Sequence, residues 1–589
     1  MKSAYRPPVP RGPIELELSR NEGRAPRPVP EITTSAGTLA RYPDLADLTA
    51  DLAGRFGVEP DRVLVTAGGD DALLRCCLAT LAGPSGAPVL DGFAPTALLT
   101  APTFEMIPRY VRLAGGEPVE VPWADGPFPI EAFLAKAEGL ERRGRTPRVV
   151  FVVSPNNPTG AVALPVDVER VAGALPDSLV VLDAAYGEFA TADPTPHALE
   201  LSNVVTVRTF SKAWGLAGAR VGYLLGDPDR LEELAAAGNP YPVAGPSAAL
   251  ARERLATGNE DLRDHVRTVT AERARLEHRL EALGARPARP SQANFVLARG
   301  LDPAWTTDAA ASLGVALRAF PGRPDLTDAV RVTLPGEARA FARLEATVAT
   351  ALAPEALLFD LDGVLADVSR SYRAAIVDTA AGYGVTVTPD DLAAAKAAGN
   401  ANDDWALTRE LLVAAGVEAS LAEVTARFER RYQGTREHPG LRSTERPLVS
   451  RDQLQAWAAR LPLALVTGRP RQDAERFLDE HDLADCFEAV VCREDAALKP
   501  DPAPVRLALD RLGVGRAWML GDTPDDLVAA RRAGVLPLGV PAPGTDPSSE
   551  HRTLLAAGAA RVLARTTDLS SLLDALPTTT PSDLQEARP

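Results

Sequence analysis

Lysine is scarce in this sequence, and two of its five lysines stand inside motifs whose residue types could perform chemistry. Lys212 lies in RTFSKAWGLAGARVG, and Lys499 lies in ALKPDP. Arginine carries nearly all of the remaining positive charge, although a guanidinium cannot attack a carbonyl as an amine can. The presence of lysine at these two positions therefore indicates that lysine chemistry is needed there.

The motifs around Lys212 predict a site for pyridoxal 5'-phosphate. Lys212 is the candidate for the covalent link to the cofactor, because a deprotonated amine attacks a carbonyl. Asp183 ends the strand in VVLDAAYGEF, where a carboxylate can pair with the protonated ring nitrogen and keep the ring an electron sink. Asn157 in SPNNPTG and Tyr186 can donate to the phenolic oxygen, and Phe104 can stack on the ring.

A further group of residues suits the phosphate of that cofactor. Gly68 and Gly69 open a helix in TAGGDDALL, where free N–H groups bind anions. Arg220, at the end of the lysine motif, can add a bidentate contact. Thr209 and Ser211 can add hydroxyl groups.

Paired carboxylates in the second half of the chain indicate a different chemistry. In LLFDLDGVL, Asp360 can act as a nucleophile and Asp362 as general acid and base. Because a phosphate dianion repels a bare carboxylate, the site needs a cation, and Mg²⁺ with oxygen ligands is the best candidate. GDTPDD adds two carboxylates at the end of another strand, so the predicted metal ligands are Asp360, Asp362, Asp522 and Asp526.

Two further residues complete this second set. Thr467 in LALVTGRP and Lys499 can hold phosphate oxygens and neutralise developing charge. Asp525, in the same acidic run as Asp526, is interpreted as surface charge or as charge at a helix start. Together the four motifs predict hydrolysis of a phosphate ester.

The elements that carry these motifs predict an α/β fold. Short β-branched runs alternate with segments of helical period, which indicates mostly parallel sheets with crossover helices. The first 40 residues are rich in proline and predict an extended arm with short strands. The motif order predicts two units, 1–352 and 355–576, with a helical insert at about 370–448 and a frayed tail at 577–589. Because no Gly/Ser linker separates the units, we expect their relative placement to be fixed.

The first unit resembles the fold-type I aminotransferases, and most closely the histidinol-phosphate aminotransferase group. The resemblance covers about residues 10–352 and rests on the order of LSRNEGRAPRP, RYPD, NNPTG, DAAY, QANFVL and VRVTLPG. It implies a large α/β domain with a small α+β domain, and a homodimer in which Tyr42 reaches the phosphate of the neighbouring subunit's cofactor. It also implies that Arg331 binds the carboxylate of the amino donor, with the phosphate of the other substrate as a further ligand, and that Asn21 and Asn294 line the substrate pocket.

The second unit resembles the haloacid-dehalogenase-like phosphatases over about residues 355–576. That resemblance implies a Rossmann-like core, and the helical insert resembles the cap domain that sets substrate selectivity in the capped subfamily. The DxD pairing favours a phosphatase over a dehalogenase, because dehalogenases of this superfamily generally lack the second aspartate.

These resemblances imply a bifunctional enzyme. The leading hypothesis is transamination of imidazole-acetol phosphate with glutamate to histidinol phosphate, followed by phosphate removal, which are successive steps of histidine biosynthesis. PTFEMI and GGDD depart from the PTYxMY and GSDE usual in the group, so a keto-sugar or other specialised-metabolite phosphate stays open. Two further alternatives are decarboxylation of a phosphorylated amino acid and a noncatalytic second unit, and the complete motif set argues against the latter.

Composition narrows the partners of this chain. A net charge of -16 argues against nucleic acid and anionic membrane surfaces as partners, and small phosphorylated substrates with an amino-acid donor remain. The four cysteines show neither a zinc-site spacing nor a disulfide framework. The N-terminal MKSAYRPPVPRGP contains no apolar run typical of a signal peptide, so we expect a cytoplasmic protein.

Overall fold

The computed structural model describes residues 9–31, 36–82, 94–388, 391–392, 394–395 and 403–576. The predicted tail at 577–589 lies outside these residues. Within the described ranges, no helix is both long and apolar enough to cross a membrane.

The first half of the chain is built from strands β1–β13 and helices α1–α12. In chain order the strands are Leu16–Glu17, Val63–Thr66, Thr96–Ala101, Glu117–Pro122, Val149–Val153, Leu179–Asp183, Val204–Thr209, Gly222–Gly226, Arg286–Pro287, Phe295–Arg299, Val315–Ala316, Arg318–Ala319 and Ala329–Thr333. The helices are Ala36–Ala40, Ala46–Phe56, Gly69–Leu81, Met106–Leu113, Ile130–Glu141, Pro165–Ala174, Thr195–Ala198, Pro228–Ala236, Gly245–Thr257, Asn259–Ala282, Pro303–Ser312 and Ala338–Leu352.

A seven-stranded sheet forms the large layer of this half, in the order β2-β8-β7-β6-β5-β3-β4. Strand β8 runs antiparallel to both of its neighbours, and the other pairs are parallel. Strands β5 and β6 are buried along their whole length because apolar clusters cover both faces of the sheet. Asp183 and Thr209 therefore stand at the carboxyl ends of neighbouring strands.

A smaller antiparallel sheet, ordered β12-β13-β10-β9, packs with α10, α11 and α12. The N-terminal arm joins this region because β1 pairs with β11 in parallel. Helix α1 corrects the prediction that the first 40 residues are extended: Ala36–Ala40 form a short helix that packs against α9.

The second half contains β14–β21 and α13–α21. The strands are Ala356–Phe359, Ala366–Asp367, Arg446–Pro447, Leu463–Val466, Ala489–Val491, Ala517–Gly521, Leu536–Gly539 and Arg561–Val562. The helices are Tyr372–Ala381, Asp404–Ala414, Leu421–Gln433, Arg451–Ala458, Arg471–Glu480, Ala503–Leu512, Pro524–Arg532, Pro547–Ala556 and Leu569–Asp574.

A six-stranded parallel sheet, ordered β18-β17-β14-β19-β20-β21, is the core of this half. The adjacent inner strands β17, β14 and β19 end just before Thr467, Asp360 and Asp522, which brings three predicted site residues to one edge. Helices α13, α14 and α15 pack together as a cap between β15 and β16, which pair with each other. The parallel sheets and crossover helices of both halves confirm the predicted α/β class.

The two halves contact each other through buried tryptophans. The rings of Trp305 on α11 and Trp518 on β19 lie 5.0 Å apart in an edge-on arrangement. Trp518 Nε1 donates to the carbonyl oxygen of Thr350 at 2.7 Å. At the periphery, Arg531 donates to the carbonyl oxygen of Pro13 at 2.6 Å. These contacts agree with the expected fixed placement, whereas the predicted limits of the units stay predictions.

Candidate active sites

A cavity of about 370 Å³ opens at the carboxyl edge of the seven-stranded sheet, beside the small sheet. It is bordered by the N-terminal segment, the loops after β6 and β7, and strands β12 and β13. The structure brings most of the predicted residues of the first half together here, namely Asn21, Gly69, Phe104, Asn157, Asp183, Tyr186, Thr209, Ser211, Lys212, Arg220 and Arg331.

Asp183 offers this cavity a buried carboxyl. It is 4% exposed, and the backbone N–H of Ala185 donates to its Oδ1 at 3.1 Å. Burial raises the pKa of Asp183 to about 6, although the Ala185 hydrogen bond and the charge of Lys212 oppose this rise. A protonated ring nitrogen would supply the countercharge that the carboxylate needs, so Asp183 fits the ring of pyridoxal phosphate.

Lys212 lies in the loop after β7, close to the N-terminal segment. Its Nζ lies 3.5 Å from the carbonyl oxygen of Arg20 and 5.6 Å from the centroid of the Tyr186 ring. A Cβ on Gly23 would lie 2.0 Å from the Lys212 carbonyl oxygen. The segment therefore passes directly against the lysine, and glycine is required at that point of LSRNEGRAPRP.

The predicted phosphate loop lies at the start of α3. Gly68 has a φ of +82°, and a Cβ on Gly222 would lie 2.6 Å from the Gly68 carbonyl carbon, so the loop lies tightly against β8. Arg220 donates to Ser211 Oγ at 3.4 Å, and Thr209 Oγ1 donates to the same oxygen at 2.9 Å. A helix start, an arginine and two hydroxyls form a donor set that fits a phosphate monoester.

Arg331 brings a guanidinium to the substrate side of the cavity. It donates to Asn157 Oδ1 and to the carbonyl oxygen of Ser19, both at 2.7 Å. Asn21 Nδ2 donates to Tyr186 Oη at 3.0 Å. Arg331, which is predicted to bind the donor carboxylate, thus borders the same cavity as Asn157 and Tyr186, which are predicted to contact the phenolic oxygen of the cofactor.

Three predicted residues of the first half are not among those that line the cavity: Asn294, Tyr42 and Gly68, which directly precedes the lining residue Gly69. Asn294 is fully buried behind it, and its Nδ2 donates to the carbonyl oxygens of Asn21 and Glu22 at 3.5 Å. This corrects the predicted role, because Asn294 holds the N-terminal segment in place. Tyr42 is 77% exposed and stacks on Tyr241 at 4.2 Å, and its contact with a neighbouring subunit stays a prediction.

Sequence reasoning missed a second arginine in the cavity. Arg318 on β12 faces Arg331 across the antiparallel pair, and its Nη2 donates to Glu105 at 2.6 Å. The Phe320 ring lies 5.6 Å from one guanidinium and 5.8 Å from the other. The string RAFPGR, which begins with Arg318, could have indicated this residue. Arginine is so common in this chain that the string does not stand out from the sequence alone.

The second site is a cluster of carboxylates around one ammonium. Asp360, Asp522 and Asp526 offer oxygens that lie within 4.8 Å of one another. Lys499 Nζ lies 2.5 Å from Asp360 and 2.6 Å from Asp526. Burial raises the pKa of Asp360, and the Lys499 ammonium opposes that rise. Three carboxylates against the Lys499 ammonium and the Arg373 guanidinium, which lies 3.9 Å from Asp522, leave one negative charge, and their clustered oxygens fit a divalent cation.

The Asp362 carboxylate lies outside that cluster, which corrects its predicted place among the metal-binding side chains. Arg469 Nε donates to Asp362 Oδ1 at 2.7 Å, and Arg469 Nη2 lies 2.5 Å from the same oxygen without hydrogen-bond alignment. Both residues border a cavity of about 40 Å³ together with Asp360, Asp522, Tyr372 and Trp405. A role for Arg469 was not predicted from the sequence, because the motif VTGRP does not show that this arginine contacts Asp362.

Loop geometry explains the remaining residues of the second site. A Cβ on Gly363, which has a φ of +77°, would lie 2.2 Å from Asp522 Oδ2, so DLDG needs its glycine. Thr467 is buried, and its Oγ1 accepts from the backbone N–H of Arg469 at 3.1 Å. Asp525 lies in the first turn of α19, which confirms the helix-start alternative, and it is 5% exposed, which excludes the surface alternative.

Family models match both halves of the chain. Residues 20–340 match the class I and II aminotransferases, and residues 354–534 match the haloacid dehalogenase-like hydrolases. The chain therefore belongs to the class I and II aminotransferases and carries a haloacid dehalogenase-like hydrolase domain. These matches confirm the predicted pairing of two enzyme domains and its pyridoxal-phosphate-dependent fold.

Individual relatives add detail. An imidazoleglycerol-phosphate dehydratase of Phytophthora nicotianae is 44% identical over 239 residues, which is 38% of this chain and 52% of the relative, so the chain spans about half of that protein. An aromatic amino acid aminotransferase of Mycobacterium tuberculosis is 36% identical over 56% of this chain and 92% of the relative. The crystal structure of histidinol-phosphate aminotransferase from Sinorhizobium meliloti with pyridoxal-5'-phosphate is 27% identical over 58% of this chain and 91% of that chain, with a TM-score of 0.48.

Proposed function

We propose that the first half transaminates a phosphorylated keto substrate, with imidazole-acetol phosphate and glutamate giving histidinol phosphate as the leading candidate. The carrying observation is the pair of buried guanidiniums, Arg318 and Arg331, beside the cavity that contains Lys212. One guanidinium suits the carboxylate of the donor, and the other provides for a phosphate. The relative named for imidazoleglycerol phosphate supports an imidazole phosphate as the ligand class.

The residues of the cavity suit the steps of transamination. Pyridoxal phosphate, when bound, supplies the electron sink that lets a proton leave the amino-bearing carbon. Asp183 keeps the ring nitrogen protonated, and Lys212 anchors the cofactor and moves the proton at the amino-bearing carbon. Arg331 orients the donor through its carboxylate, next to Asn157.

For the second half we propose a Mg²⁺-dependent phosphatase that acts on the amino product. The excess negative charge among Asp360, Asp522 and Asp526 supports a Mg²⁺ site there. Mg²⁺, when bound, supplies charge neutralisation for the phosphate oxygens. Asp360 attacks the phosphorus, the ester oxygen leaves with a proton from Asp362, and water then releases inorganic phosphate from Asp360 with Asp362 as base. Thr467 and Lys499 hold the phosphoryl oxygens.

A panel of substrates tests both proposals on the purified full-length protein. Imidazole-acetol phosphate, keto-sugar phosphates and phosphothreonine would each be incubated with glutamate and Mg²⁺, and products read by mass spectrometry. We expect histidinol and phosphate from the first substrate only. Lys212→Ala should remove amino-group transfer, whereas Lys136→Ala, on the exposed face of α5, should not. Conversion of a keto-sugar phosphate alone would overturn the imidazole assignment, and CO₂ release from phosphothreonine would overturn transamination.

Aromatic keto acids are a second candidate class, because the Mycobacterium tuberculosis relative is an aromatic amino acid aminotransferase. The ring of Phe320 beside Arg318 and Arg331 could pack on an aromatic side chain. Phenylpyruvate in the same panel separates the candidates, because it has no phosphate. A kcat/KM for phenylpyruvate above that for imidazole-acetol phosphate would favour the aromatic class.

We also propose that the protein acts in the cytoplasm as a homodimer through its first half. The exposed stack of Tyr42 on Tyr241 supports a protein surface that a second copy covers. All four cysteines are free and buried, which suits a reducing compartment. Light scattering coupled to size exclusion tests the dimer, and a monomeric mass in the presence of cofactor would contradict it.

A further inference from the structure

Arg469 joins the catalytic loop of the second half to the cap. Its side chain is 1% exposed. Nε donates to Asp362 Oδ1 at 2.7 Å, and Nη1 donates to Glu445 Oε2 at 2.9 Å. The Tyr372 ring of α13 lies 4.9 Å from the guanidinium carbon. One arginine therefore connects a residue of the core loop with residues that belong to the cap.

The cap end of this connection is fixed by further hydrogen bonds. Glu445 is 4% exposed, and its Oε1 accepts from Ser371 Oγ at 2.7 Å and from Tyr432 Oη at 3.1 Å. Glu445 directly precedes β16, which pairs with β15 just after the catalytic loop. A buried carboxylate held by three donors gives the guanidinium one preferred position.

The core end leaves part of the carboxylate available. Among the described residues, the hydrogen bonds to the Asp362 side chain come from Arg469 and end on Oδ1. Asp362 is 28% exposed at its side chain and borders the cavity that also contains Asp360. The second oxygen, Oδ2, is thus the one that can exchange a proton with an ester oxygen bound there.

We propose that Arg469 is a positioning residue that orients Asp362 for proton transfer to the leaving oxygen, with Glu445 of the cap as its anchor. This inference rests on the proposed phosphatase function. In the first step a bond forms between an Asp360 oxygen and phosphorus, the ester bond breaks, and the proton of Asp362 goes to the leaving oxygen. An alkoxide needs that proton, whereas a nitrophenolate leaves without it, so the role of Arg469 depends on the leaving group.

Three phosphate esters of similar shape separate positioning from a merely structural role. They are p-nitrophenyl, phenyl and benzyl phosphate, measured with Mg²⁺ and full-length protein. The ratio kcat/KM reports the steps up to cleavage of the ester bond, so later hydrolysis of the enzyme ester does not enter. For Arg469→Ala we expect a loss on benzyl phosphate that exceeds the loss on p-nitrophenyl phosphate by roughly 100-fold or more, the range of general acid catalysis. Arg469→Lys should lie between wild type and Arg469→Ala.

Arg476→Ala provides the matched control, because Arg476 reaches the same cap helix through Gln433 Oε1 and Tyr432 Oη. We expect similar losses on all three esters in that variant. The double variant with Arg469→Lys and Asp362→Asn should depend on the leaving group no more steeply than Asp362→Asn alone, because the carboxyl that Arg469 orients is already removed. If Arg469→Ala does not fold, Arg469→Lys and Glu445→Gln carry the comparison.

The outcomes distinguish the inference from the function on which it rests. Equal losses on the three esters in the Arg469 variants, with an active wild type, overturn the positioning role alone. A wild type that hydrolyses none of the three esters overturns the phosphatase proposal itself. A steeper dependence on the leaving group in Arg469 variants than in Arg476→Ala supports the inference.

Discussion

The Asp183 carboxyl links the first site to pH. Burial raises its pKa from an ordinary value of 3.8 to about 6. Because the native pKa exceeds the unfolded one, the folded protein binds this proton more tightly than the unfolded chain does. Its contribution to stability is therefore complete below 3.8 and is lost as the pH rises through about 6.

We predict that Asp183→Asn flattens the pH dependence of stability in cofactor-free protein. Thermal unfolding of cofactor-free wild type should show a rising Tm as the pH falls from about 7 to about 5, and the variant should show a smaller rise. Bound cofactor should reduce the slope of wild type, because the ring cation keeps the carboxylate ionised. Transamination by the variant should fall by roughly 100-fold or more. Equal slopes in the two cofactor-free proteins would show that Asp183 does not titrate in this range.

The element that shapes the phosphate end is the contact between β8 and the loop before α3. Gly222, at the start of β8, lies against the Gly68 backbone, where a Cβ would be 2.6 Å from the carbonyl carbon. Backbone atoms cannot rotate away as a side chain can. A methyl group at this position must therefore displace the loop that is predicted to bind the cofactor phosphate.

Gly222→Ala should weaken cofactor binding by about 10-fold or more, since overpacking costs roughly 1–3 kcal/mol. The Kd is measured by titrating cofactor-free protein and following absorbance. Gly54→Ala in α2 makes the same change where nothing lies within 4 Å, and it should leave the Kd unaltered. An unchanged Kd in Gly222→Ala would mean that the loop tolerates displacement.

Strand ends are the elements that the sequence predicts best. Continuous apolar runs precede Asp183 and Asp360, and a polar residue after such a run must stand at the edge of a parallel sheet. Arg318 and Arg469 could not be predicted in this way, because their partners are set by packing between distant segments. Asn294 was assigned by resemblance, and its role changes because the N-terminal segment lies between it and the cavity.

At the scale of the whole molecule, two chemically independent sites share one chain. Asp360 and Lys499 lie in loops that follow strands of the six-stranded sheet, whereas Lys212 lies in the loop after β7 of the seven-stranded sheet. The halves meet through α11, α12, β19 and the N-terminal segment, and the proposed catalytic side chains of the two sites are not part of these contacts among the described residues. A change at one site should therefore leave the other active.

Asp360→Asn is predicted to lower phosphate release by at least roughly 1,000-fold, because the proposed nucleophile is lost. Amino-group transfer should stay within about 2-fold of wild type, an order-of-magnitude bound for a site with its own sheet and cavity. Chelation of Mg²⁺ by EDTA should give the same pattern in wild type. Both rates would be measured in one reaction by mass spectrometry. Loss of both activities would reveal coupling between the halves.

The contact between the two halves should determine whether they unfold together or separately. Trp305 is 4% exposed, its ring contacts the Trp518 ring, and the Arg561 guanidinium lies 5.2 Å from its centroid. Truncating a buried tryptophan lowers the free energy of unfolding by about 3–5 kcal/mol. For Trp305, the lost stabilisation comes from the contact between the halves.

One apolar cluster runs through both halves, and each sheet also packs against a cluster confined to its own half. We therefore predict one calorimetric transition for wild type, and two separated transitions for Trp305→Ala, in which the shared cluster is weakened at the contact. Trp457→Ala is the matched control, since that ring stacks on Phe359 inside the second half at 5.6 Å. It should lower the stability of the second half without altering the contact between halves. A single transition at lower temperature in Trp305→Ala would show that the halves unfold as one unit even when their tryptophan contact is removed.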